Sequence, residues 1–435
     1  MVVLLVFGIW VGGRHPGWLP GPLRGALVGD THTAVVKEAI DRVHDTYYRK
    51  IPEDQLADDA IDGVVKRLDD RFSNYFSPAE YKRFKESQHS EFSGIGLSVS
   101  QDPRGLRVET VYDGSPAKRA GIEKGDIVVE AAGHKLSGRN SDEAVSFIKG
   151  PPGSQVKVIW ERGGKLHTKT ITRSTVSVPV VASQMARAGA CKAGIVRLAQ
   201  FSSGAHAELD AALKREQKRG AKAFVLDLRG NGGGLVSEAQ LVASAFLRSG
   251  KIVTTKGRSV PERTLDATGD PVVPTQPLVV LVDKGTASAS EIVTGALQDR
   301  HRAKVVGTQT FGKGVFQEVI ELSNGGALDI TAGQYFLPSG RNLGGRGVAT
   351  GSGIQPDVKA VDDPKTKNRD EAQDRALAVL ARSCRGWRGA TGASRAASPG
   401  AGRATATTPS RRGSSCSPSR AASSWASRSS SAAGA

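Results

Sequence analysis

Twice in this chain a short apolar run ends in a glycine loop and passes straight into a helical pattern. One copy is AKAFVLDLRGNGGGLVSEAQLVASAFLRSG, and the other is PLVVLVDKGTASASEIVTGALQDR. A strand that is apolar on both faces has to lie between two covering layers. Strand, loop and helix in series then make a largely parallel sheet with helices packed against it. AGIVRLAQF followed by AHAELDAALKREQKRG supplies an earlier unit of the same kind, and AKVVGTQTFGKGVFQEVIEL and GALDITAGQYFLP read as further strands. The expectation is an α/β core over residues 179–362. In such sheets ligands sit beyond the carboxyl ends of the strands, where the loops at Gly230 and Gly285 fall.

The texture elsewhere is different. Residues 31–90 carry a helical pattern, with Val35, Ile40, Val43 and Tyr47 near one face, and the SPAE at Ser77 supplies a cap, a first-turn proline and an acid. This segment is expected either to pair two copies or to pack on the core. From residue 91 to 178, β-branched runs alternate with Gly and Asp turns, the signature of short strands, and a hairpin turns at Gly163-Gly164. A helix is expected over 363–381.

Both ends are biased. Residues 1–30 hold an apolar run, Val2 to Val11, followed by a Pro/Gly linker from His15 to Gly29. The run is about half of the ~20 residues that span a bilayer, and it reads as a remnant of an export signal or membrane anchor. Residues 382–435 contain nine arginines and no Asp or Glu among Ser, Ala and Gly. This tail is expected to be disordered, and it reads as translation of a shifted frame. Subtracting its nine charges from the net +17 leaves +8 for the rest, so nucleic acid is not an expected partner.

Three cysteines, at 191, 384 and 416, form neither a CxxC nor any metal-ligand spacing. No metal, no cofactor and no disulfide framework are expected, and Cys191 reads as a small apolar core residue.

The chemistry points to Ser288. A strand, a tight loop and an immediate helix would leave it at a helix N-terminus, where unpaired N–H groups face any developing anion. A serine in that place is often only a cap. Lys313, between two glycines in TFGKG, changes the weighing. A lysine whose burial disfavours the ammonium form can serve as general base, so a serine needs no histidine. Gln317, four residues on and on the same face of a strand, can orient the amine without holding its proton. Asp299, eleven residues after Ser288, returns to nearly the same helix face about three turns away. It reads as a distant support or as an arginine's partner. Gly232, Gly233 and Gly234 end the other strand, where amides can converge on an oxyanion. The loop lacks the GK[ST] ending of a phosphate cradle. Asp227 and Arg229 read as structural. SPAK at Ser115 matches a bare S-x-x-K but lacks partner motifs.

These motifs in this order, DLRGNGGG, GTASASEI, GALQD, RAKVVGTQTFGKGVFQ and SGIQPDV, resemble the carboxy-terminal processing peptidases of the tail-specific protease class, family S41. FSGIGLSV with DGSPAKRAGIEKGDIVVEAAG is similar to their PDZ domain. The resemblance runs over roughly residues 33–381. It implies a crotonase-like βα spiral with an inserted PDZ domain, acting outside the cytoplasm on proteins with free C-termini. It maps the nucleophile to Ser288, the base to Lys313, the supporting glutamine to Gln317 and a secondary aspartate to Asp299. The oxyanion hole would be the Ala289 amide with one from Gly232–Gly234. Gly94, Ile95, Gly96 and Leu97 would form the carboxylate-binding loop. Thr286 stands where the family commonly has serine. A catalytically silent PDZ adaptor is the alternative. A crotonase-like acyl-CoA enzyme would need acidic catalytic residues and no PDZ module, neither of which fits.

Overall fold

The structure is a computed structural model that describes residues 31–88, 90–345, 349–363, 366 and 369–392. The expected export remnant or anchor at 1–30 and the tail from 393 onward, Cys416 included, lie outside the described residues.

The chain opens with helices α1 (Thr31–Thr46) and α2 (Glu53–Lys66), then strand β1 (Asn74–Phe76) and helix α3 (Pro78–Gln88). At the start of α3 the Ser77 amide and hydroxyl both donate to Glu80, at 2.9 and 2.8 Å, so the expected cap is built from the acid as much as from the serine. Val35, Val36 and Tyr48 remain exposed, whereas Tyr81 of α3 reaches the core region and donates from its hydroxyl to Glu321 at 2.7 Å.

The strand-rich module follows. Its elements are β2 (Glu91–Gly94), β3 (Leu97–Asp102), β4 (Gly105–Val111), α4 (Pro116–Ala120), β5 (Ile127–Ala131), β6 (His134–Lys135), α5 (Ser141–Ile148), β7 (Gln155–Arg162), β8 (Lys165–Thr172) and β9 (Ser174–Ser177). Strands β3-β4-β5-β7-β8 form one antiparallel sheet around Leu106, Val108, Val128 and Val158, all fully buried. The β7–β8 turn places Gly163 and Gly164 at φ of 54° and 78°, a left-handed pair that suits the twist of a two-residue hairpin.

The core contains β10 (Val181–Ala188), β11 (Cys191–Leu198), α6 (Ala205–Lys218), β12 (Ala223–Asp227), α7 (Val236–Ser244), β13 (Lys251–Gly257), β14 (Arg263–Asp266), β15 (Leu278–Val282), α8 (Ala289–Asp299) and β16 (Lys304–Gly307). It continues with β17 (Val315–Glu321), β18 (Ala327–Phe336), β19 (Val358–Lys359) and α9 (Glu371–Gly392). One sheet has the order β10-β11-β12-β15-β16-β19, parallel apart from β10. Its central strands are apolar on both faces for the expected reason. Phe224, Leu226, Leu278, Val280 and Val282 face one cluster with α6, α7 and α8, while Val225, Val279 and Leu281 face a second cluster under α9. A second sheet runs β1-β18-β13-β14, with β17 along the other edge of β18. Through β1, the amino-terminal segment is thus a strand of the core.

Two expectations fail. Cys191 and Cys384 are joined by a disulfide, with Cα atoms 6.4 Å apart, so Cys191 is not merely an apolar core residue. A sequence separation of 193 carries no framework pattern. It is the packing of α9 across the start of β11 that brings the two sulfurs together. The last helix also differs from the expected 363–381: it starts at Glu371 and runs to Gly392, and Cys384, past the expected end, is still buried against the sheet.

Candidate active site

The parallel pairing of β12 with β15, and of β15 with β16, puts three loops side by side at the carboxyl ends of the strands. These are residues 228–235, 283–288 and 308–314. The first two are stitched by Asn231. Its carbonyl accepts from the Ala287 amide at 3.0 Å and from the Ser290 hydroxyl at 2.9 Å, while its side-chain amide donates to the Leu198 carbonyl at 2.8 Å. Ser290 is therefore a buried structural serine. Thr286 plays a similar part: its hydroxyl donates to the Leu228 carbonyl at 2.9 Å, and its carbonyl accepts from the Phe311 amide at 3.0 Å.

Ser288 stands just before α8 with φ 55° and ψ −117°. This is a strained backbone for a residue with a side chain, and such strain persists only where surrounding bonds over-determine it. Half-buried, the serine has the glycine loop against it. A Cβ placed on Gly233 would lie 2.8 Å from Ser288 Cβ and 2.9 Å from the Ala289 nitrogen. With φ at 104°, Gly233 is also in a conformation that favours glycine.

The expected oxyanion donors are thereby sorted. The Ala289 amide, in the first turn of α8, and the Gly232 and Gly234 amides have no acceptor among the described residues. The Gly233 amide is different, because it already donates to Asn231 Oδ1 at 2.9 Å. Gly233 contributes close approach rather than a free N–H.

Glu291 was not singled out from the sequence, although SASE at 288–291 carries the serine-to-acid spacing of a capping box. Its side chain is fully buried. Oε2 accepts from the amides of Ser288 and Lys313, both at 3.0 Å, and Oε1 accepts from the Thr310 hydroxyl at 2.5 Å and the Gly312 amide at 2.7 Å. Burial pushes its pKa upward, against the pull of these four donors.

Lys313 enters from the third loop. Its ammonium donates to Gln317 Oε1 at 2.5 Å, and Gln317 Nε2 donates onward to the Thr331 hydroxyl at 3.0 Å. Tyr335 donates its hydroxyl to the Lys313 carbonyl. No hydrogen bond joins the lysine to Ser288 in this structure. Desolvation lowers the lysine pKa from 10.5, while Asp329, Asp70 and Glu291 oppose that fall. Phe72 lies under the ammonium, with 4.9 Å from Nζ to the ring centroid. None of Asp70, Phe72 and Asp329 carried a signal in the sequence, because each reaches the site through β1 or β18.

Asp299 is not brought to the site. Eleven residues of helix rise about 16 Å, so sharing a face with Ser288 is not contact. Its carboxylate instead accepts from Arg341 at 2.8 Å and from the Ser339 amide at 3.0 Å. Asp227 and Arg229 are structural as expected, paired at 2.8 Å, with Asp370 closing the other side of the guanidinium at 2.8 Å.

In the strand-rich module, Gly94 ends β2 and Leu97 begins β3. Between them the Ile95 and Gly96 amides have no acceptor among the described residues. Gly96, at φ 87°, is pressed against Ser115, which leaves no room for a side chain. Strand β3 is an edge of its sheet. A cavity of about 460 Å³ opens beside it, lined in part by Phe92, Leu97, Tyr112 and Lys149.

The family model for peptidase family S41 matches residues 192–360, and a PDZ domain model matches residues 107–162. The carboxy-terminal-processing protease of Bartonella bacilliformis is 37% identical over 321 residues, covering 72% of this chain and 71% of that protein. The carboxy-terminal processing protease CtpA of Bacillus subtilis is 33% identical over 339 residues, covering 78% and 71%. A probable CtpA-like serine protease of Staphylococcus epidermidis is 33% identical over 330 residues, covering 75% and 65%. Among solved structures, a photosystem II D1 C-terminal processing protease aligns at 30% identity with a TM-score of 0.47, covering 80% of this chain and 98% of that one.

Proposed function

Since the chain belongs to peptidase family S41 and is a serine-type endopeptidase with a PDZ domain, we propose that it cleaves proteins at or near their carboxyl termini with a Ser288–Lys313 dyad. Ser288 Oγ attacks the scissile carbonyl, and Lys313 takes its proton. The ammonium returns that proton to the leaving amine, and water then hydrolyses the acyl-enzyme. The Ala289 amide, with Gly232 or Gly234, receives the oxyanion. Gln317 orients the amine as an uncharged acceptor. In the resting chain Nζ rests on Gln317, so it has to turn to Ser288 when substrate enters, in keeping with the loose catalytic contacts of free enzymes.

One observation carries this reading: a single buried carboxylate oxygen of Glu291 holds the backbones of Ser288 and of a desolvated lysine together. The free amides of Ile95 and Gly96, beside an unpaired strand edge, suit a terminal carboxylate with its chain added along β3. The site of action is proposed to be extracytoplasmic. The Cys191–Cys384 disulfide favours an oxidising compartment, and the apolar run at 2–11 would direct export or anchor the chain.

The test compares cleavage of a disordered protein by the native chain, Ser288→Ala and Lys313→Ala, with mass spectrometry of the products. Loss of cleavage in both folded variants supports the dyad, and an active Lys313→Ala enzyme refutes it. A second substrate with an amidated C-terminus separates the role of the PDZ domain from that of the dyad.

A further inference from the structure

The amino-terminal segment owes nothing to the strand–loop–helix units that build the core, yet its loop at residues 70–73 lies against the lysine. Asp70 accepts from the Phe72 amide at 2.9 Å and from the Ser73 hydroxyl at 2.6 Å. Ser73 Oγ in turn accepts from the Thr331 amide at 3.0 Å, which seats the loop on β18. Asn74, the first residue of β1, pairs with Asp329. Asp329 and Thr331 are two residues apart on β18 and so share a face, and Thr331 is the residue that steadies Gln317. Lys313 therefore has Gln317 at its tip, the Phe72 ring beneath it and the Asp70 and Asp329 carboxylates within electrostatic reach.

We propose that the Asp70–Ser73 loop and Asp329 are positioning residues of this peptidase: they hold Lys313 as an ammonium against Gln317 and so set the pH above which it can act as a base. The proposal rests on the dyad reading. Two carboxylates and an aromatic face all favour the charged amine, in opposition to its burial. Burial and the neighbouring Asp70 raise Asp329 to about 6, so it is ionised at neutral pH and then favours the ammonium. The other groups facing the lysine are accounted for. Glu291 accepts from four donors and also favours the ammonium, as a fixed background to the two aspartates, and the Tyr335 hydroxyl is turned to the Lys313 carbonyl. Arg71 donates to Thr350 at 3.0 Å, and its guanidinium lies 5.2 Å from the centroid of the Phe72 ring, so it shares that ring with the lysine.

The experiment uses the full chain with β-casein as substrate and follows kcat/KM from pH 5 to 10. For Asp329→Asn and Asp70→Asn, the acid limb is expected to move about one unit toward lower pH, since each removes a charge that favours the ammonium. Phe72→Leu, which removes no hydrogen bond, moves the limb the same way by less. It remains informative if an aspartate variant misfolds. A rate that falls at every pH with the limb unmoved would mean that the loop is merely structural, and would overturn the proposal.

A second arm does not depend on catalysis. In the Ser288→Ala background, labelling of Lys313 by trinitrobenzenesulfonate is followed against pH by peptide mass spectrometry. Its midpoint should drop in the same three variants, and an unchanged midpoint overturns the proposal. Full cleavage by Lys313→Ala would instead refute the dyad, with the labelling arm still deciding whether the loop governs the lysine.

Discussion

The amides of Ser288 and Lys313 donate to the same oxygen, Glu291 Oε2, each at 3.0 Å. Two loops that leave different strands are thereby fixed to one buried atom, and the side chains proposed for nucleophile and base inherit their relation from that bond pair. Glu291 itself sits in the first turn of α8, so the helix that presents the serine also sets the lysine loop.

Replacing Glu291 with glutamine keeps the shape but turns an NH₂ toward donors that now lack acceptors. The expected cost is about 2–4 kcal/mol of stability, from one or two buried donors left unpaired. Turnover should fall at least tenfold even at temperatures where the variant is fully folded. Urea unfolding and kcat, measured on the same sample, check both parts. A stable variant of normal turnover would show that the clamp is not needed.

Gly233→Ala tests the close approach of the glycine loop. A methyl group there meets Ser288 Cβ and the Ala289 nitrogen, on a backbone at φ 104°. Displacing a reacting group by about 1 Å costs on the order of 100-fold in rate. The loss should appear in kcat with KM little changed, because the proposed terminal-carboxylate site at Ile95 and Gly96 belongs to the other module. A rise in KM with kcat unchanged would argue against it.

Gln317→Glu is nearly isosteric and carries the sign of a pH argument. A carboxylate touching Nζ favours the ammonium, so the lysine pKa rises and the neutral base appears only at higher pH. The acid limb of the rate profile should therefore move upward, opposite to the shift expected for Asp329→Asn. Gln317→Ala, which removes the contact without adding charge, should lower turnover without that upward movement.

Cys191 and Cys384 give a prediction independent of catalysis. A non-reducing digest of protein made in an oxidising compartment should contain one peptide pair linking the two residues. The double variant Cys191→Ala, Cys384→Ala should lose about 2–5 kcal/mol, the usual cost of removing a native disulfide. Cleavage near neutral pH should persist, since α9 lies on the face of the sheet away from α8.

Much of this molecule is written locally in the chain. Apolar strands ending in glycine loops and followed by helices pointed to a parallel sheet, because Phe224–Leu226 and Leu278–Val282 need cover on both faces. Ser288, Lys313 and Gln317 could be proposed from the sequence because each sits in a short pattern, GTASAS or TFGKGVFQ, that resembles the family's. Contacts that join distant segments were decided only by the tertiary structure. Helical periodicity placed Asp299 on the right face of α8, but the axial rise carried it to Arg341. Free amides looked equivalent along Gly232–Gly234 until Asn231 claimed that of Gly233. The Cys191–Cys384 bond, and the approach of Asp70, Phe72 and Asp329 to the lysine, follow from how α9, β1 and β18 dock. Such docking depends on the shapes of whole layers, and no local run of residues encodes it.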